Sequence, residues 1–167
     1  MSRKSKFKNN KATSFLETLP VISVEGCGLI GRCKFNFSYL DLSQPLAKPA
    51  TELAGEFLTA LMGKLKNYSA HPLRYWLHQR VGGGSRTILE IYKKFPAPSD
   101  FTHPVSVPHD VEWARFRMEG AVRLAGFLVP SSLNNKLCAE RQYSFCTNTF
   151  YVVFVDLEHG FYKGKNI

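Results

Sequence analysis

Residues 112–129, EWARFRMEGAVRLAGFLV, decide the fold of this chain. Apolar and aromatic residues dominate on both sides of Glu119-Gly120, and this dipeptide fits a two-residue hairpin turn between two strands. Further along the chain, residues 149–156 read TFYVVFVD and are apolar on both faces. A strand of that composition is covered on both sides, so we expect it at the centre of the sheet.

The register of the hairpin decides which side chains share a face. With a two-residue turn, Arg117 lies opposite Val122 and Phe116 lies opposite Arg123. Arg115 and Arg117 then share one face of the hairpin, and Arg123 falls on the other. Each face mixes arginine with apolar groups, so these arginines need water, an acid or a ligand as a partner.

Other elements are indicated by the spacing of apolar residues. Residues 29–40, LIGRCKFNFSYL, alternate with period two and predict a strand with one wet face. An apolar stripe over residues 53–68 recurs every three or four positions and predicts an amphipathic helix. The remaining predicted elements are a second helix from Pro72 to about Arg80, a strand over 87–95, a long loop over 96–110 and a short helix within 131–142.

Helices come early in this order and strands come late, which favours an α+β fold: a single domain whose mainly antiparallel sheet packs against a helix pair. The chain has 167 residues, of which 44% are hydrophobic and 21% charged, and these values exclude wholesale disorder and fibrous folds. Residues 1–12 are polar and basic and predict a flexible N-terminal tail, which leaves residues 13–167 for the α+β domain.

The net charge of +9 is concentrated at the two ends of the chain. Residues 1–11 hold five basic groups and no acid, and the last five residues hold two lysines. A basic tail of this kind binds nucleic-acid phosphates or an acidic partner, or it remains a solvated terminus. The lysines that we predict to bind nucleic acid are Lys4, Lys6, Lys8, Lys11, Lys93, Lys94, Lys163 and Lys165.

Several function classes are disfavoured by the sequence. The basic N-terminus is not followed by a long apolar run, so we expect neither a secretory signal nor a membrane anchor, and a cytoplasmic location follows. The four cysteines lack the short two-residue spacing of zinc sites and are expected to be free thiols. We therefore expect no metal and no cofactor.

The candidate catalytic residues are histidines, arginines and a tyrosine near strand ends. Their types match the needs of metal-free RNA cleavage, which requires a base for the 2′-hydroxyl, cations for the phosphate and an acid for the leaving oxygen. The candidates are His109, Arg115, Arg117, Arg123, His159 and Tyr162. The structural alternative is that the arginines pair with nearby acids on the sheet surface and that each histidine is a surface or capping residue.

The carboxy-terminal third, residues 112–163, resembles bacterial RelE/ParE-type toxins. The resembling pieces are WARFRMEGAVRLAGFLV, TFYVVFVD and HGFYKGK: successive strands with arginines, followed by a basic and aromatic tail. The resemblance implies a ribosome-associated endoribonuclease that uses basic and tyrosine side chains without a metal. The implied site is formed by Arg115, Arg117, Arg123, His159, Tyr162 and Lys163.

We therefore predict a small basic protein that acts on or binds RNA or a ribonucleoprotein, as a metal-free endoribonuclease of a toxin–antitoxin or antiphage defence system. The alternative is a non-catalytic accessory, antitoxin-like or inhibitor subunit of a larger complex, with a protein partner held through the N-terminal tail. The two hypotheses predict different arrangements of side chains. The enzyme requires that the histidines and arginines converge, whereas the accessory subunit requires an exposed apolar patch.

Overall fold

A computed structural model describes residues 11, 14–15, 23–44, 55–138, 140 and 142–163. Seven strands and two helices occur in this part of the chain. In chain order they are β1 (Lys34–Asn36), α1 (Gly55–Ser69), α2 (Leu73–His78), β2 (Leu89–Lys93), β3 (Glu112–Arg117), β4 (Arg123–Leu128), β5 (Leu137–Cys138), β6 (Tyr143–Ser144) and β7 (Thr149–Asp156). The predicted tail, except Lys11, lies outside the described residues.

Five strands form the main sheet in the order β1-β7-β4-β3-β2, and β5 pairs with β6 in a separate small hairpin. The pairs within β2-β3-β4-β7 are antiparallel, and β1 joins the sheet edge by pairing parallel with β7. Strand β7 is flanked on both sides and largely buried, which confirms its predicted central position. The α+β prediction is also confirmed.

One face of the sheet packs against the two helices. The stripe on α1 ends in buried Leu65 and Tyr68, and α2 contributes Leu73 and Trp76 to the same core. The backbone carbonyl of Tyr68 accepts a hydrogen bond from Trp76 Nε1 at 2.8 Å, which ties α2 to the last turn of α1. Alternate residues of the strands complete this core, among them Leu89, Phe116, Leu124 and Phe150.

The opposite face of the sheet is covered by two loops, residues 94–111 and 157–163. Their side chains form a second core with the sheet, built from Phe101, Val107, Val111, Trp113, Phe127, Phe154 and Phe161. The loops also bind each other, since Asp100 N donates to Gly160 O at 3.0 Å and Lys163 N donates to Pro98 O at 2.9 Å. The segment that carries His159 is thereby held against the sheet.

The predicted register of the β3-β4 hairpin is wrong by one residue. The connection is a three-residue loop, closed by hydrogen bonds from Met118 N to Val122 O at 3.0 Å and from Val122 N to Glu119 O at 2.9 Å. Gly120 adopts φ 54°, a left-handed conformation that suits glycine in such loops. Because a one-residue shift moves side chains to the other face, Arg123 now lies opposite Arg117 and on its face.

Two further predicted elements differ from the structure. Residues 29–40 do not form one strand: Leu29–Gly31 is a 3-10 turn and only Lys34–Asn36 pairs with the sheet. The side chain of Asn36 accepts a hydrogen bond from Ser38 N at 2.8 Å and turns the chain there. The short helix predicted within 131–142 is limited to the 3-10 turn Ser131–Leu133, after which β5 begins.

Candidate functional site

Three arginines lie on the sheet face that the helices do not cover. Arg115 and Arg117 are two residues apart on β3, and Arg123 of β4 pairs directly with Arg117. Arg115 is 6% exposed and Arg123 is 3% exposed, whereas Arg117 is half-buried. Burying a guanidinium requires partners, so the surroundings of each arginine determine what the cluster can do.

Arg115 joins two functional side chains. Its Nη2 lies 2.8 Å from Glu90 Oε2, and its Nη1 lies 2.9 Å from His159 Nε2. Because a guanidinium only donates hydrogen bonds, His159 Nε2 must accept, and the imidazole is neutral with its proton on Nδ1. The pKa of His159 is lowered by burial and by the positive charges of Arg115 and Arg123, which favours the same neutral state.

The pair Arg117 and Arg123 is incompletely satisfied. Arg123 Nη1 donates to the carbonyls of Gly120 and Val122 at 2.8 and 2.7 Å, which fastens the hairpin loop. Within the described residues, the buried Nε atoms of Arg117 and Arg123 have no hydrogen-bond partner. Burial and the two neighbouring arginines lower the pKa of Arg123 to about 10. Such a cluster of positive charges favours the approach of an anion.

The three arginines differ in their acidic partners. Glu90 of β2 lies opposite Arg115 in the strand register and Asp156 of β7 lies opposite Arg123, so both carboxylates lie on the arginine face. Among the described residues, only Arg115 of the three forms an ion pair, with Glu90. Burial by itself would raise the pKa of Glu90, but the hydrogen bond and the charge of Arg115 hold that pKa below its ordinary value.

Asp156 shapes the turn that presents His159. Its carboxylate is fully buried and accepts hydrogen bonds from the backbone N–H groups of Glu158, Gly160 and Phe161 at 3.2, 2.9 and 3.0 Å. Within this turn His159 adopts φ 62°, a conformation that non-glycine residues rarely take. The backbone is thus held so that the imidazole reaches Arg115 across the sheet.

Two tyrosines border the cluster. Tyr92 and Tyr162 stack with ring centroids 4.7 Å apart, and the guanidinium carbon of Arg115 lies 5.6 Å from the centre of the Tyr92 ring. The hydroxyl of Tyr92 donates to Glu90 Oε2 at 3.1 Å, and burial raises its pKa, so this phenol stays protonated. Tyr162 is half-buried and forms the outer side of the stack.

The structure brings five of the six predicted catalytic residues together and separates the sixth. The five are Arg115, Arg117, Arg123, His159 and Tyr162. His109 is exposed and stacks on His103 with centroids 4.8 Å apart, and within the described residues no hydrogen bond or ring contact joins it to the arginines. Glu90 and Tyr92 were missed as site residues, although their period-two spacing on the β2 stretch placed them on one face.

The predicted nucleic-acid-binding lysines have different surroundings. Lys93 and Lys94 are exposed and directly follow Tyr92, at the border of the arginine cluster. Lys163 forms an ion pair with Asp100, which offsets its charge. Lys11 is exposed, and the other predicted lysines, Lys4, Lys6, Lys8 and Lys165, lie outside the described residues.

A second basic region lies at the opposite edge of the sheet. An open groove of about 620 Å³ is lined by Arg32, Lys34 and Lys66, together with small and apolar residues. Lys34 also donates to the sulfur of Cys146 at 3.5 Å. The period-two alternation of residues 29–40 places Arg32 and Lys34 on one face, but Lys66 comes from α1 and joins them only through helix packing.

No protein-family model, curated protein or solved structure matches this chain. Among the described residues, no helix has the length and apolar character needed to cross a membrane. No group of three or more His, Cys, Asp or Glu side chains in that part of the chain is placed to hold a metal ion. Cys27, Cys33, Cys138 and Cys146 are free thiols.

Proposed function

We propose that this protein cleaves RNA without a metal, at the arginine cluster and His159. The observation that carries the proposal is the 2.9 Å contact between Arg115 and a neutral His159, on the sheet face that also holds Arg117 and Arg123. A neutral imidazole serves as a base near neutral pH, and adjacent arginines stabilise the charge that develops on a phosphate. Both requirements of the reaction meet at one place.

In the proposed step, His159 Nε2 takes the proton of a 2′-hydroxyl while that oxygen forms a bond to phosphorus. The bond from phosphorus to the 5′ oxygen breaks, and the hydroxyl of Tyr162 donates a proton to the departing oxygen. The products are a 2′,3′-cyclic phosphate and a 5′-hydroxyl end. The substrate phosphate attracts Nη1 of Arg115, which releases Nε2 of His159 for the reaction.

The five residues differ in how deeply they are buried, and this difference indicates their roles. Arg117, His159 and Tyr162 are half-buried and reach the substrate, so we assign them the catalytic contacts. Arg115 and Arg123 are almost fully buried behind them. Arg115 orients His159 before the substrate binds and then contacts the phosphate through Nη1, whereas Arg123 fixes the hairpin loop. We therefore assign Arg123 a positioning role, although the sequence alone suggested direct catalysis.

Other features support RNA as the substrate. Lys93 and Lys94 border the cluster, and the groove lined by Arg32, Lys34 and Lys66 adds a second positive surface for a phosphate backbone. The resemblance to RelE/ParE-type toxins points to RNA on the ribosome, in a toxin–antitoxin or antiphage defence system in the cytoplasm.

The decisive experiment is cleavage of single-stranded RNA by the purified protein in buffer that contains EDTA. His159→Asn is the test variant because asparagine tolerates the positive φ of this position. We expect the cleavage rate to fall by about 10²- to 10⁴-fold, as for the loss of a general base. His78→Asn, an exposed histidine on α2, is the matched control and should leave the rate unchanged.

Two further comparisons sharpen this test. A single 2′-deoxynucleotide at the cleavage position should block the reaction, because the attacking oxygen is then absent. His109→Asn should retain activity, and its inactivation would return His109 to the site. The proposal fails if RNA is cleaved equally by wild type and His159→Asn, or if neither cleaves RNA alone or on the ribosome.

A non-catalytic subunit remains the second candidate function because of an exposed apolar surface. On α1, Leu58 is 39% exposed and Met62 is 62% exposed. Beside them, Phe57, Leu61 and Met118 line a small apolar cavity of about 70 Å³. This surface suits a protein partner. Stoichiometric co-purification of a partner that Met62→Asp abolishes, without RNA cleavage, would support this function instead.

A further inference from the structure

Another cavity lies on the arginine face of the sheet, beside Phe127, which is four residues beyond Arg123 on β4. It has a volume of about 260 Å³ and is lined mainly by aromatic and apolar side chains, with Asp110 at its rim. Ligand pockets in proteins are typically concave, mostly apolar and equipped with a few polar groups. This cavity has that character, and nothing in the proposed cleavage step uses it.

The aromatic lining forms two walls at nearly right angles. Phe127 and Tyr151 stack face to face with centroids 4.8 Å apart and an interplanar angle of 5°. Tyr39 stands at 75° to Phe127 and at 80° to Tyr151. A flat ring that enters such a corner meets one wall face to face and the other edge to face, which are the two favoured arrangements of aromatic pairs.

Three polar side chains that line the cavity lack hydrogen bonds to the other described residues. Within the part of the chain that the structure describes, the hydroxyls of Tyr39 and Tyr151 form no hydrogen bond, and the side chain of Asp110 forms neither a hydrogen bond nor an ion pair. Burial raises the pKa of Tyr151, so its hydroxyl remains a donor. The residues that line the cavity therefore carry two hydroxyls and a carboxylate, which are groups able to bond to the edge of a ring.

We propose that this cavity, between Tyr39, Tyr151 and Asp110, binds a guanine base of single-stranded RNA. A guanine presents two adjacent donors, N1–H and N2–H₂, which a carboxylate accepts together, whereas adenine and uracil do not offer that pair. The flat ring matches the aromatic corner, since bases stack on tyrosine and phenylalanine in RNA-binding proteins.

The cavity lies on the same face of the sheet as the cleavage site. The link that we infer between the two rests on the proposed function. Phe127 and Arg123 lie on the same strand and the same face, about 13 Å apart at 3.3 Å per residue. A strand of RNA with its base at Phe127 directs its backbone toward the positive arginines. The cavity would then select where the chain is cut.

The experiment measures binding of free guanosine, which has no phosphate, by ¹H–¹⁵N NMR titration of the full chain. We expect saturable shifts for residues that line the cavity, and binding about tenfold tighter than that of adenosine or uridine. Asp110→Asn should remove this preference, and as a rim residue it should fold normally. Tyr39→Ala should abolish binding, while Tyr143→Ala, an exposed tyrosine on β6, is the matched control and should bind like wild type.

Each result bears on the inference separately from the proposed cleavage. Guanosine binding without any RNA cleavage would uphold the base site and refute the catalytic proposal. Absence of saturable shifts, equal binding of all nucleosides, or stronger binding of an organic cation such as tetramethylammonium would overturn the base site, whatever the cleavage assay shows. Persistence of guanosine binding in Tyr39→Ala would do the same.

Discussion

The turn after β7 provides the sharpest test of how the site is held. The perturbation is Asp156→Asn, which keeps the size of the side chain but replaces one carboxylate oxygen with an amide that donates. Oδ1 of Asp156 accepts from Glu158 N and Gly160 N, and Oδ2 accepts from Phe161 N. If the asparagine oxygen takes the place of Oδ1, the new amide faces the N–H of Phe161, and neither donor has an acceptor.

The structure sets the size of the effect. Hydrogen bonds to a charged group are worth about 1.5–3 kcal/mol, and a buried donor without an acceptor costs about 1–3 kcal/mol. The cost of the lost hydrogen bond and the cost of the unpaired donor are partly the same, so they do not add in full. We therefore expect the free energy of unfolding to fall by about 3 kcal/mol. Domains are stable by about 5–15 kcal/mol, so the variant still folds. Cleavage should fall as well, since the turn no longer fixes His159.

The assay is urea denaturation followed by tryptophan fluorescence, because Trp113 is buried beside Phe161. Asp41→Asn is the matched control: Asp41 also accepts three hydrogen bonds, from Ser43 N, Ser43 Oγ and Gln44 Nε2, but it is only half-buried and two of these bonds are exposed. Water replaces the lost bonds there, so we expect the free energy of unfolding to fall by less than about 1 kcal/mol. Equal losses in the two variants would refute the argument that the buried carboxylate holds the turn.

Three further predictions address the bulge, the histidine and the tyrosine. Gly126→Ala should destabilise the protein by about 3 kcal/mol, because a Cβ there would lie 2.0 Å from the carbonyl oxygen of Tyr151 in the β4-β7 bulge. Gly63→Ala on α1 is the control in the same urea assay. Nothing lies within 4 Å of a Cβ at that position, so this substitution should stabilise the protein by about 0.8–1 kcal/mol. The lowered pKa of His159 means that the unfolded chain binds the proton more readily, so its contribution to stability is complete above its ordinary pKa of 6.5 and declines as the pH falls below that value. Wild type should therefore lose more stability than His159→Asn between about pH 6.5 and pH 5, and parallel curves would contradict this. Tyr92→Phe removes the 3.1 Å hydrogen bond to Glu90 and should cost about 1 kcal/mol in thermal unfolding, and an unchanged melting temperature would show that this bond contributes nothing.

Much of the fold was predictable because it depends on local patterns. The α1 stripe, the β7 run and the two strands of the hairpin each satisfy a backbone period within a few residues, and the structure contains all of them. The prediction over residues 29–40 was wrong because alternation alone does not show where a strand stops. There, the side chain of Asn36 turns the backbone. Tyr39 then packs against Phe127, on the sheet face that the helices do not cover.

The candidate site was predictable in its residue types but not in its contacts. Arginines at strand ends and a histidine after the last strand were visible in the sequence, and five of these residues lie together. The difference between a two-residue and a three-residue turn is not visible, because Glu119-Gly120 fits both. The one extra residue in the turn places Arg123 on the face of Arg115 and Arg117.

By itself, the sequence determined the fold class, the central strand and the chemical groups available, because residue type and backbone period act over short stretches. Only the tertiary structure decided which groups meet. Glu90 reaches Arg115 across 25 residues of chain and His159 reaches it across 44. Such contacts depend on strand order and register, and these are set by burial of the whole sheet rather than by any local pattern.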